Sequence, residues 1–127
     1  MATAGNDVLM TSADGQVLYG LAGNDRITGR HNNTKLYGDE GDDTLLTSFS
    51  LAKSFKGDVS AQQYGGADND RLTITISAYS SKADVLADGG TGSDVITIDT
   101  RLTDPNLCFG EIRNVSDGGE GDDVIRS

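Results

Sequence analysis

The sequence predicts an all-β fold, a solenoid of short strands joined by tight turns, and three observations carry that expectation. A glycine and aspartate signature returns six times, as Ala4-Gly5-Asn6-Asp7, Gly20-Leu21-Ala22-Gly23-Asn24-Asp25, Gly38-Asp39-Glu40-Gly41-Asp42-Asp43, Gly65-Gly66-Ala67-Asp68-Asn69-Asp70, Gly89-Gly90-Thr91-Gly92-Ser93-Asp94 and Gly118-Gly119-Glu120-Gly121-Asp122-Asp123. Two residues after each closing aspartate stands one large aliphatic side chain: Leu9, Ile27, Leu45, Leu72, Ile96 and Ile125. Over residues 71–76 and 95–99, apolar and polar residues alternate with the period of two expected of a half-buried strand. Each repeat therefore encodes a turn and then a short strand with one face inward.

The spacing orders these elements. Asp7, Asp25 and Asp43 recur at a constant interval of two nonapeptides, one full turn of a two-sheet coil, so their carboxylates are expected on one edge. The intervening nonapeptides keep the aliphatic position at Leu18 and Leu36 but hold Gln16 and Thr34 where the aspartate would be. No metal is expected on that opposite edge. After Leu46 the spacing widens and loses its regularity: Asp43 to Asp70, Asp70 to Asp94 and Asp94 to Asp123 are three unequal steps, each longer than two nonapeptides. Residues 1–47 are thus expected to form regular nonapeptide coils, and residues 48–127 wider, irregular coils of the same single domain. Return strands are expected around residues 56–59, 82–85 and 113–115, with Val59, Val85 and Val115 in the core.

Written by position, the repeat is G-G-x-G-x-D-x-U-x with U aliphatic, and the sequence resembles the repeats-in-toxin (RTX) family of secreted calcium-binding proteins. The resemblance implies a parallel β-roll with Ca²⁺ held between the turns of successive coils. It pairs Asp7 with Asp25, Asp25 with Asp43, Asp43 with Asp70, Asp70 with Asp94, and Asp94 with Asp123, giving about five sites along one edge. Carbonyls of Gly20, Gly23, Gly38, Gly41, Gly65, Gly89, Gly92, Gly118 and Gly121 would complete the shells, while Asp68 stands where one motif glycine belongs. The chemistry suits the ion. Ca²⁺ takes six to eight oxygen ligands, and glycine reaches the left-handed backbone that aims carbonyls at a shared point. Asp39, Asp42, Asp88, Asp117 and Asp122 are candidates for extra ligands or for solvated carboxylates. The resemblance further implies an extracellular module, exported through a signal near the C-terminus of a longer protein and not itself catalytic. The chain starts inside one repeat and stops just after another, as a piece of such a protein would.

Composition bounds the alternatives. With 127 residues and no apolar run near the roughly 18 of a membrane span, the chain is expected to be one domain without a span. Glycine supplies 17 residues, and the excess over an average chain costs on the order of 4 to 8 kcal/mol of backbone entropy. Twenty acidic residues face ten basic ones, for a net charge of −10, which five Ca²⁺ ions would bring to zero. So acidic a chain repels nucleic acid. Cys108 is single and forms no intramolecular disulfide, His31 is expected in a surface turn, and nothing positions a hydrolase triad. A second function class is a polysaccharide-binding module, alginate-like in its ligand, using Lys53, Lys56, Lys82, Arg71, Arg101 and Arg113. A minor third is an adhesin or ice-binding face at Thr73, Thr75 and Thr97. A flexible linker is disfavoured, because a linker has no reason to place an aliphatic residue after each of six aspartates. As an isolated module the chain is expected to be monomeric.

Overall fold

A computed structural model describes residues 2–51, 58–78, 82–102 and 111–126. These residues form strands β1 (Val8–Met10), β2 (Val17–Ala22), β3 (Arg26–Gly29), β4 (Thr34–Glu40), β5 (Thr44–Leu51), β6 (Val59–Ala67), β7 (Arg71–Ala78), β8 (Lys82–Thr91), β9 (Val95–Leu102), β10 (Glu111–Asp117) and β11 (Val124–Arg126), with no helix among them. Odd-numbered strands make one sheet, in the order β1-β3-β5-β7-β9-β11, and even-numbered strands make the other, in the order β10-β8-β6-β4-β2. All nine strand pairings are parallel. The chain therefore winds as a two-sheet parallel β-roll, crossing between sheets at every turn.

Side-chain alternation sets the register. Leu9, Ile27, Leu45, Leu72, Ile96 and Ile125 fall in one file across all six strands of the first sheet. The four middle members of that file are fully buried, and Ile74, Ile76 and Ile98 extend the core along the longer strands. A slip of one residue would turn this whole file to solvent, which is why the aliphatic position fixes the pairing so firmly. On the second sheet, Leu36, Val59, Ala61, Ala83, Val85 and Ala87 close the core from the other side.

Val59 and Val85 are buried as expected, each in register with an alanine, Ala83 and Ala61 respectively. Val115 pairs with Leu86, and its own side chain, expected in the core, lies outside the described residues. The aliphatic file Leu18, Leu36 continues into Gln63, which is wholly buried and donates from Nε2 to Thr47 Oγ1 (3.0 Å) and to the Thr73 carbonyl (3.0 Å). The first longer coil thus enters through a polar contact between the sheets.

Coil circumference grows along the roll. Ile27 follows Leu9, and Leu45 follows Ile27, by two nonapeptides, whereas the register steps on to Leu72, Ile96 and Ile125 are each longer and no two are equal. Strands lengthen accordingly, from three residues in β1 and four in β3 to eight in β7 and ten in β8. Sheet pairing runs unbroken through residue 47, since β5 spans it.

Candidate metal centre

Each signature turn after the first carries the chain from the second sheet to the first, and the turns stack. In the four middle turns that follow strands β2, β4, β6 and β8 the sixth-position aspartate does not project into solvent. Asp25, Asp43, Asp70 and Asp94 are at most 3 % exposed, with their carboxylates turned into the corner between the sheets. One oxygen of each is already engaged: the Asp7 N–H donates to Asp25 Oδ1 (2.7 Å), Asp25 N–H to Asp43 Oδ1 (2.7 Å), Asp43 N–H to Asp70 Oδ1 (2.8 Å), Asp70 N–H to Asp94 Oδ1 (2.8 Å) and Asp94 N–H to Asp123 Oδ1 (3.0 Å). The five sequence-derived aspartate pairs are therefore the five neighbours of one ladder. The aspartate carbonyls are engaged as well, accepting from the first N–H of the next odd-numbered strand, as in Thr44 N–H to the Asp25 carbonyl (2.8 Å).

The other oxygen is the open one. Oδ2 of Asp25, Asp43, Asp70 and Asp94 is buried without a hydrogen-bond partner. Its place is made by the first glycine of the same turn. A methyl carbon built on Gly38 would lie 2.3 Å from Asp43 Oδ2 and 2.5 Å from the Gly65 carbonyl oxygen; Gly20 and Gly65 show the same cradle, with Asp25 Oδ2 and Asp70 Oδ2 at 2.3 and 2.4 Å. Gly89 and Gly118 seat Asp94 and Asp123 likewise, at 2.3 and 2.4 Å. These five glycines thus have a steric task that the sequence reading did not assign: any side chain there would evict the carboxylate.

Gly23, Gly41, Gly92 and Gly121 hold the fourth position with φ of 111°, 116°, 121° and 131°, a left-handed backbone that glycine adopts without penalty. Asp68 takes the same conformation at φ 79°, so its turn keeps the shape of the others at some strain. The fifth position forms a second ladder that sequence reasoning missed. Asn24 N–H donates to Asn6 Oδ1 (2.8 Å), Asp42 N–H to Asn24 Oδ1 (3.1 Å), Asn69 N–H to Asp42 Oδ1 (2.9 Å) and Ser93 N–H to Asn69 Oδ1 (2.8 Å). Asn, Asn, Asp, Asn, Ser and Asp at this position in the six repeats were the available signal.

Burial raises Asp43 from 3.8 to about 6 and Asp70 to about 7, with neighbouring aspartates adding to the rise and the N–H donors opposing it. Burial raises Asp94 too. A cation in the corner would reverse that cost. The donor set fits a hard, oxygen-loving ion: orphaned carboxylate oxygens beside main-chain carbonyls, with no sulfur or imidazole among them. Among the described residues no three acidic, histidine or cysteine side chains converge on one point. Any bound ion would accordingly draw most of its ligands from the backbone, as Ca²⁺ accepts and Zn²⁺ does not.

The opposite edge is built differently. Gln16 Oε1 accepts the Ser12 N–H (2.7 Å), and buried Asn32 accepts from Ser60 N–H through Oδ1 (3.0 Å) while donating Nδ2 to the Asp58 carbonyl (3.1 Å). Exposed Asp14 accepts the Asn32 N–H (3.0 Å), Thr34 Oγ1 donates to the His31 carbonyl (3.3 Å), and His31 Nδ1 shares a hydrogen bond with Thr11 Oγ1 (2.9 Å). His31 is therefore a half-buried turn residue. Lys53, Lys56 and Cys108 lie outside the described residues.

A parallel β-roll with a buried file of aspartates between stacked glycine turns defines the class of protein. The sequence comparison agrees: four copies of the RTX calcium-binding nonapeptide repeat match within residues 1–30, 11–45 and 111–127. The chain carries calcium-binding repeats of that family, structural units that are not catalytic in themselves. Asp70 and Asp94 lie between the matched segments, joined to them by register. No curated protein and no solved structure matches the chain.

Proposed function

We propose that the chain is a calcium-driven folding module, with one Ca²⁺ in each of the five gaps between successive signature turns. The observation that carries this reading is the file of buried, partnerless Oδ2 atoms at Asp25, Asp43, Asp70 and Asp94. Asp7, Asp25, Asp43, Asp70, Asp94 and Asp123 supply the charge. Carbonyls of the first- and fourth-position residues supply neutral oxygens. A bound ion neutralises carboxylates that otherwise repel one another within a core corner. Its binding energy thereby becomes folding energy, because the unfolded chain brings no two turns together.

Proteins with these repeats are typically secreted from bacteria. In such a setting the module stays open where calcium is scarce and folds outside the cell, as part of a larger extracellular protein. Of the basic residues suggested for a polysaccharide-binding face, Arg71 opens β7, Arg101 pairs with Asp99 at 3.2 Å on β9, and Lys82 and Arg113 lie on the adjacent strands β8 and β10. The test is a calcium titration of the chelated chain followed by circular dichroism, with stoichiometry from calorimetry. Cooperative gain of β signal with about five ions bound supports the reading, and a chain that binds fewer than two ions sinks it.

A further inference from the structure

The outer face of the five-stranded sheet carries a second organised surface. Tyr19, Tyr37 and Tyr64 stand in register on successive coils, with ring centroids 4.8 and 4.7 Å apart and planes within 12° and 7°. Beyond the tyrosines the file continues as Asp88, in register with Tyr64, and then Asp117. Beside it runs a file of Leu21, Asp39, Gly66 and Gly90. Because Gly66 and Gly90 have no side chains, a groove opens there, floored by glycine, walled by Tyr37 and Tyr64, and bordered by Asp39 and Asp88. It continues past Asp39 to Glu40 and Leu21.

Three features say what the groove suits. No basic side chain lines it, while three carboxylates border it on a chain of net charge −10. The tyrosines stack on one another along the roll, so they present edges and not open faces, and a flat sugar ring finds no platform. Asp39 and Asp88 lie two coils apart and two positions offset along the strands, about 12 Å at roughly 4.8 Å per strand and 3.3 Å per residue, too far to share one metal ion and close to the span of about four residues of extended peptide. Tyrosine walls also suit the apolar stems of long basic side chains.

We propose that this groove docks an extended basic peptide segment, whose lysine or arginine stems lie along Tyr37 and Tyr64 while their cationic heads reach Asp39, Glu40 and Asp88. The groove adjoins the aspartate ladder and shares Gly65 with the turn that seats Asp70. It uses none of the carboxylates placed there.

The calcium-saturated chain, titrated calorimetrically with hexalysine at moderate salt, tests the assignment. Saturable one-to-one binding is expected. The double variant Asp39→Asn with Asp88→Asn should weaken it at least tenfold, and Tyr64→Leu several-fold with no change of charge. A control, Asp58→Asn with Asp84→Asn, removes the same charge from exposed positions outside the groove, one just before β6 and one in β8, and should change affinity less than twofold. Equal loss in the control shows a response to net charge alone and overturns the proposal. So does the absence of saturation, and so does spermine binding as tightly as hexalysine, which would make the groove a small-polyamine site. Circular dichroism of every variant in calcium separates a failure of docking from a failure of the calcium-driven fold.

Discussion

At one edge of the roll, carboxylates of Asp25, Asp43, Asp70, Asp94 and Asp123 accept backbone N–H groups from the coil before; at the other, Gln16 and Asn32 accept N–H groups from the chain around them. Both side-chain types satisfy turn donors. They differ in what remains. An amide carries its own N–H groups, and Asn32 spends one on the Asp58 carbonyl, so that edge leaves neither net charge nor a buried orphan at Asn32. A carboxylate has two acceptors and no donor, and the second acceptor stays empty in four successive turns. The comparison teaches that one edge is complete as a polypeptide while the other keeps a file of buried acceptors open.

Removing calcium should break the difference most visibly. With a Kd near 10⁻⁴ M per site, as in extracellular modules, tenfold excess calcium stabilises by about 1.4 kcal/mol per site and five sites by about 7 kcal/mol. Excess EDTA should therefore abolish the β signal in circular dichroism; retention of it with no bound metal would mean that the amide edge and core suffice.

Glycine seats come next. Gly38→Ala places a methyl on Asp43 Oδ2 and should cost about 3 kcal/mol or more in calcium, as expected when a buried charge loses its arrangement. Gly29→Ala, at the amide end of β3, meets the Thr34 and Thr47 hydroxyls at 3.2 Å and Leu36 Cδ1 at 3.5 Å, contacts relieved by a few tenths of an ångström, and should cost less, about 1 to 2 kcal/mol. Similar denaturation midpoints for both variants would remove the steric role of the first-position glycine.

pH should act oppositely with and without metal. Asp43 and Asp70 have folded values of about 6 and about 7, above the ordinary 3.8, so the folded chain binds protons more tightly than the unfolded one. In chelator, residual stability should thus rise as pH falls from about 7 toward 4 and be lost again as it climbs. In calcium, protons compete, and the calcium midpoint should move to higher concentration over the same window. Circular dichroism titrations at three pH values distinguish these signs.

Single charge removals give the smallest and sharpest contrast. Asp43→Asn keeps an acceptor for the Asp25 N–H but deletes the buried charge, so it should raise the calcium midpoint several-fold while making the chelated chain more resistant to urea. Asp14→Asn, exposed and able to keep its bond to the Asn32 N–H, should change neither by more than about 0.5 kcal/mol. Equal midpoints for the two variants would erase the distinction between the edges.

Much of this architecture was legible in the chain. The aliphatic residue after each aspartate predicted the central file of the first sheet, and the interval of two nonapeptides between Asp7, Asp25 and Asp43 predicted the coil. What stayed hidden was direction. Nothing in the spacing said that the carboxylates turn inward, that one oxygen of each is committed to the preceding N–H, or that Gly20, Gly38, Gly65, Gly89 and Gly118 are seats for them. The second sheet was harder still, because short runs such as residues 82–85 fix a strand but not its register, and Val85 came to lie beside Ala61. Gln63 escaped notice since a single buried amide has no periodic signature.

Along the roll, one interval never varies: the first glycine and the aspartate of each turn keep the same separation from Gly20 and Asp25 to Gly118 and Asp123. The step between successive aspartates of the ladder meanwhile grows from 18 positions at Asp7 and Asp25 to 29 at Asp94 and Asp123. The described strands take up part of the added length, from six residues in β2 to ten in β8. The molecule behaves like a folding fan, gathered tightly along one spine. Widening a coil leaves that spine untouched, so foreign residues grafted into a coil away from its signature turn would ride along without sharing in the spine's construction.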